Sequence, residues 1–177
     1  MKKTDRVVVS DSTPLIYLAK IGRLDVIKNV FGEILIPEAV FCEAVTQGKA
    51  LNMSDASIIE MAVGVWIIKE RIQPEVEAAY RFLDSNTRLG SGEKEALKLC
   101  KQRNAGYFVV DDKEARRVSR MLNVKPIGTC GIILQACRQG SITSGEALQM
   151  LDELVKAGFR IGPTVYRRVF EELGLTR

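Results

Sequence analysis

The chain has 177 residues, 26 of them basic and 22 acidic, for a net charge of +4. That length suits one domain, which can bury roughly 70% of its unfolded surface without covalent staples, and the mild basic excess permits a polyanionic partner without demanding one. There is no histidine, which excludes Ser-His-Asp and Cys-His catalysis and every histidine-ligated metal site, so any enzymology must run on carboxylates.

The four cysteines, Cys42, Cys100, Cys130 and Cys137, are scattered without a C-x-x-C pair. They read as buried, reduced thiols and argue against a zinc site or a secreted disulfide framework. No apolar run approaches the roughly 18 residues of a membrane span, and Met1–Asp5 leads into the first strand without a signal-peptide core. A cytoplasmic protein with no membrane partner is expected.

Val7-Val8-Val9 is too β-branched and apolar for a half-exposed strand and reads as a strand buried on both faces, the habit of parallel sheets. It runs into Asp11. Thr13 is then the expected N-cap of a helix through Leu15, Ile16, Leu18 and Ala19, with Pro14 in its first turn. Asp11 is thereby held at a strand-to-helix corner, the carboxyl edge where open α/β sheets bind ligands. The competing reading is a turn aspartate bonded to its own backbone.

Gly22 suits a helix C-terminus, and Leu24, Ile27 and Phe31 fit a short amphipathic helix ending at Gly32. Ile34-Leu35-Ile36 reads as a strand. Pro37 opens a helix through Val40, Phe41, Ala44 and Val45, whose apolar stripe Glu43 borders, an odd place for a free carboxylate unless it is an ordinary flank residue. Thr46 to Met53 reads as a surface loop. Ser54–Ala62 is helix-like, Val65–Ile68 a further strand, Pro74–Leu83 an exposed helix and Asp84–Gly90 a loop.

Ser91 is the expected N-cap of the next helix, which places Glu93 in the first turn, where an acid also complements the helix dipole. Gly106–Val110 is an apolar strand ending in Asp111-Asp112, followed by a basic helix carrying Lys113, Arg116, Arg117 and Arg120. This repeats the strand-acid-helix pattern of Asp11. Lys125-Pro126-Ile127 is a last short strand. Gly128–Gly131 turns into the helix Ile132–Cys137, and Ser144–Lys156 and Pro163–Leu173 are amphipathic helices. Strands alternating with helices select a three-layer α/β/α sandwich around a mainly parallel sheet. One domain over 1–177 is expected, with 143–177 a helical extension packed on it.

Asp11, Asp111 and Asp112 lie at strand ends, and Glu43 and Glu93 lie on helices that could line the same edge. Such acids repel one another, which should raise some of their pKa values. Their convergence makes sense around a divalent cation, and an all-oxygen donor set favours Mg²⁺ or Mn²⁺. Mg²⁺ keeps waters and binds phosphate oxygens, which points to a phosphodiester attacked by activated water. The four basic residues after Asp112 could hold a nucleic-acid backbone, or be a solvated face. Alternation along the strand favours Asp111 over Asp112 as the inner acid.

In order and surroundings these acids resemble the PIN-domain family of ribonucleases, in particular prokaryotic PIN proteins predicted to bind nucleic acid, relatives of VapC-type toxins. The resemblance runs from V-V-V-S-D-S-T-P-L-I-Y-L-A-K through I-P-E-A-V-F-C-E and G-E-K-E-A-L to V-V-D-D-K-E-A-R-R-V and G-T-C-G-I-I-L-Q-A. It implies a metal-dependent endoribonuclease with acids at Asp11, Glu43, Glu93 and Asp111 or Asp112. Asp11, Glu93, Asp111 and Asp112 are its candidate metal ligands. RNA is the implied substrate, and a protein antitoxin and a second copy of the chain are candidate partners. Two departures stand out: a Glu as third acid where many members have Asp, and D-D in place of Thr-x-Asp. A haloacid-dehalogenase phosphatase is set aside because Asp11-Ser12-Thr13 lacks the second acid of D-x-D. A non-catalytic PIN-like module binding RNA or protein is the remaining rival.

Overall fold

A computed structural model describes residues 6–174. The Met1–Asp5 lead and the last three residues of the 143–177 extension lie outside the described residues.

Five short strands, β1 (Val8–Ser10), β2 (Ile34–Ile36), β3 (Ile67–Lys69), β4 (Tyr107–Val109) and β5 (Lys125–Ile127), form one sheet in the order β3-β2-β1-β4-β5. Every pairing is parallel. β1 is central, with Val9 opposite Leu35 on one side and Phe108 on the other. Val8, Val9, Ile34, Leu35, Ile36, Phe108 and Val109 are all buried, as a sheet covered on both faces requires. Each such side chain contributes roughly 1.5–3 kcal/mol on leaving water.

The strands are linked by α1 (Ser12–Lys20), α2 (Asp25–Phe31), α3 (Glu38–Phe41), α4 (Gly48–Ala50), α5 (Ser54–Ala62), α6 (Pro74–Ala79), α7 (Ser91–Gln102) and α8 (Lys113–Met121). After β5 come α9 (Thr129–Arg138), α10 (Ser144–Lys156) and α11 (Pro163–Glu172). α1 packs on α5 and α3 on α7, and α1, α3 and α5 also pack on the turn that follows α3, while α2, α10 and α11 pack against α9. The result is the three-layer α/β/α sandwich.

Several local expectations are corrected. Asp11, in extended conformation, takes the N-cap position of α1, so Thr13 and Pro14 already lie within its first turn. The segment Thr46–Met53 is not a loop: a π-helical turn, Cys42–Gln47, runs into α4, and only Leu51 to Met53 are non-helical. The Cβ of Gly48 would lie 2.8 Å from that of Ala56, so the absent side chain lets α4 close on α5. Gly90, not Ser91, caps α7. α9 begins at Thr129, ahead of its apolar run. The third strand starts at Ile67, past Val65. All four thiols are free, but Cys42 and Cys137 are only partly buried.

Candidate active site at the carboxyl edge of β1 and β4

Asp11 follows β1 directly, and its amide donates to the Val109 carbonyl across the β1–β4 seam at 2.9 Å. The residue is 3% exposed, and its Oδ1 is buried with no hydrogen-bond partner. Burial pushes its pKa up to about 7; the Ser12 and Thr13 amides pull the other way, and the charges of Glu93 and Glu43 raise it further. Repulsion among the acids is therefore present but secondary to desolvation. The Ser12 and Thr13 amides serve the carboxylate as in a turn aspartate, yet they leave Oδ1 without a partner.

Glu43 sits in the π-helical turn, a widening of the helix often found at functional sites. Both its oxygens are engaged: Ser12 Oγ donates to Oε2 at 2.7 Å, and Ser91 Oγ and the Gly92 amide donate to Oε1 at 3.0 and 2.9 Å. Ser91 thus serves Glu43 instead of capping its own helix. α3 is tied to α7 a second time, by the Ala39 amide donating to Glu95 Oε2 at 2.9 Å.

Glu93 accepts from the Gly90 amide at 2.9 Å as the distal half of a capping box. Partial burial raises its pKa against that amide, and the charges of Asp112 and Glu43 add to the rise. One Glu93 oxygen thus caps α7 while the carboxylate lies in the field of Asp112 and Glu43.

The two aspartates after β4 part company. Asp111 turns to α9, where Thr129 donates to it twice, through its amide at 2.9 Å and its hydroxyl at 2.6 Å. Gly128, the N-cap residue of α9, has no side chain to offer, and Asp111 supplies the missing acceptor from the neighbouring strand. Burial raises the Asp111 pKa, while Thr129 and the Arg116 charge oppose the rise. Asp112 caps α8 by accepting from the Ala115 amide at 2.9 Å, and its charge is the one that acts on Glu93. Strand alternation favours Asp111 as the inner acid; in the structure both its oxygens accept from Thr129 at the start of α9.

Asp11, Glu43, Glu93 and Asp112 thus form a linked set of charges with oxygen donors alone. Among the described residues no three His, Cys, Asp or Glu side chains close tightly enough to cage a metal ion unaided. The set nonetheless fits a hard divalent cation that keeps part of its water shell, as Mg²⁺ does. The orphaned Asp11 Oδ1 is the donor left open, and a cation there would offset the burial of the carboxylate charge and the repulsion from Glu93 and Glu43.

Of the basic residues on α8, Lys113, Arg116 and Arg120 line a groove of about 1340 Å³ that reaches Asp111 and Asp112. Arg117 faces elsewhere and makes a two-pronged pair with Glu114 at 2.9 and 2.7 Å. Ser12, Ser91, Gly92 and Thr129 escape sequence reading because their types suit any helix start. For Ser12, Ser91 and Gly92 the one signal is a place within a turn of an acid; Thr129, 18 residues from Asp111, carries none.

No helix among the described residues is long and apolar enough to cross a membrane. No curated protein sequence matches the chain. Among solved structures it is similar to the crystal structure of Mycobacterium tuberculosis VapC20, a sarcin-ricin loop cleaving toxin. The identity is 11% and the TM-score 0.48, over 63% of this chain and 94% of that one. A family model described as a PIN domain matches residues 7–175. With that match spanning β1 to the end of α11 and all the acids between, the chain belongs to the PIN-domain family.

Proposed function

We propose that the chain is a divalent-cation-dependent endoribonuclease whose active site is the pocket of Asp11, Glu43, Glu93 and Asp112. The observation that carries this reading is the buried, unpartnered Oδ1 of Asp11 beside two further carboxylates. Asp11, Glu93 and Asp112 would hold Mg²⁺ or Mn²⁺. Bound there, the cation would offset charge on the phosphate oxygens and lower the pKa of a bound water. Asp11 contributes a carboxylate fixed by the β1–β4 seam, so little side-chain entropy is left to lose on binding. Glu43, with both oxygens already engaged, holds Ser12 and the start of α7 in register and adds negative potential without moving. Glu93 is oriented by the Gly90 amide. Asp111 is a positioning residue, anchoring α9 against the corner.

The test is cleavage of single-stranded RNA by the purified chain in Mg²⁺, Mn²⁺ and EDTA, with Asp11→Asn as control. Cleavage that needs either cation and is lost in the variant is expected. Equal turnover in EDTA would sink the reading. RNA binding without turnover, in protein shown to hold the cation, would favour a non-catalytic module.

A further inference from the structure

The groove beside the acid pocket has a second wall that none of the acids explains. It runs between α8, α9 and α11, and guanidinium groups from both sides line it: Arg116 and Arg120 from α8, Arg168 from α11. Glu172 answers Arg168 and Arg138 from within the groove, whereas Arg116 and Arg120 make no salt bridge among the described residues. Burial, then the charge of Arg120, pulls the Arg116 pKa below its ordinary value; Asp111 opposes this, and Arg168 adds to the fall. Arg168 donates through Nε to Glu172 at 2.7 Å, which steadies its guanidinium while leaving other donors open. Arg116 contributes one long bond, to the Val110 carbonyl at 3.4 Å. The groove also holds aromatic surface: Tyr17 and Phe159 meet edge to face at 5.0 Å, and both line it.

A cationic groove with aromatic edges, open at one end onto carboxylates, matches what a single nucleic-acid strand needs: charges for successive phosphates and π surface for unstacked bases. An acidic protein segment would satisfy the arginines but would give the rings and the contact with Asp112 no purpose.

We propose that the groove between α8 and α11 is the track for a single-stranded stretch of RNA flanking the scissile bond, its phosphates held by Arg116, Arg120 and Arg168. This rests on the nuclease reading for the direction of the strand, toward Asp112, but not for the binding itself. α11, in the C-terminal part of the chain, thereby becomes part of the substrate site.

The experiment is equilibrium binding of a fluorescently labelled single-stranded RNA of about twelve nucleotides to the full chain in EDTA, across a salt series. Arg120→Ala and Arg168→Ala should each weaken binding several-fold whatever the sequence. Each should also reduce the slope of log K against log salt by about 0.7, the value for one phosphate on a single strand. Arg167→Ala, on the same helix but not lining the groove, should bind as wild type. Unchanged affinity and slope in both groove variants would overturn the proposal, as would tighter binding of an acidic peptide than of RNA. Turnover assayed separately with metal distinguishes the two readings. Cleavage with groove-insensitive binding sinks this proposal alone, whereas groove-dependent binding without cleavage supports it and sinks the nuclease reading.

Discussion

The Gly92 amide donates to Glu43 Oε1 over 2.9 Å, and a Cβ at position 92 would lie 2.6 Å from Oε2 of the same carboxylate. No other side chain can stand there without moving Glu43. Gly92 is the second residue of α7 and its φ is not positive, so alanine brings no backbone strain there. Gly92→Ala should therefore leave the melting temperature near wild type while lowering RNA cleavage by about 100-fold, the scale on which a small misplacement acts. Thermal melts and cleavage rates on the same preparation check this. Unchanged cleavage would show that the position of Glu43 is unimportant.

Asp111 and Asp112 should separate by readout. Asn caps helices about as well as Asp, so Asp112→Asn should keep its stability and lose cleavage. Asp111→Ala strips both acceptors from Thr129, which is fully buried, and should cost about 1–3 kcal/mol in denaturant melts. If Asp112→Asn cleaves normally and Asp111→Asn does not, the inner acid is the other one.

The pKa of Asp11 is raised from 3.8 to about 7, so in this range the folded protein binds a proton that the unfolded chain releases. Its contribution to stability is full below about pH 4 and is lost as the pH rises through about 7. In EDTA, wild type should lose stability across that window relative to Asp11→Asn, which carries no charge to bury. Cation at about 100 times its dissociation constant should return about 2.7 kcal/mol to wild type and less to the variant. Parallel pH profiles for the two proteins in EDTA would remove Asp11 as the source.

Lys98 is buried on α7, with its side chain 3% exposed, and its ammonium pairs with Glu77 and with Asp84 at 2.8 Å. Both carboxylates are about half exposed, so they can rehydrate if the lysine is lost. Lys98→Met should cost about 2 kcal/mol and, more tellingly, speed proteolysis between Pro74 and Ser85, where α6 and a 3₁₀ turn (Arg81–Ser85) depend on this latch.

The layer plan was legible because the apolar strand cores and the acids at their ends are adjacent in sequence, so local pattern carries them. Asp11 and the Asp111-Asp112 pair stand out for that reason, and Glu43 and Glu93 by their places beside an apolar helical stripe and in a first helical turn. What could not be read depends on partners distant in the chain. Nothing within a few residues of Asp111 tells that Gly128 will leave α9 in need of an acceptor. Ser91 reads as a cap because its hydroxyl is judged against its own helix, whereas Glu43, 48 residues earlier, takes it. The helix through Thr46 to Ala50 was missed because polar residues and Gly48 mimic a loop, and its stability comes from packing on α5.

The central strand has a consequence in time. One of the two neighbours of β1, β4, is made about a hundred residues after it, and Asp112 follows that neighbour. At roughly 5–20 residues per second the growing chain spends several seconds or more carrying Asp11 and Glu43 with no seam to hold Asp11 and no third or fourth acid beside it. Pairing strands so far apart is also slow once both are present. Under the proposed reading, the site gains its fourth acid and its seam only when strands about a hundred residues apart have paired.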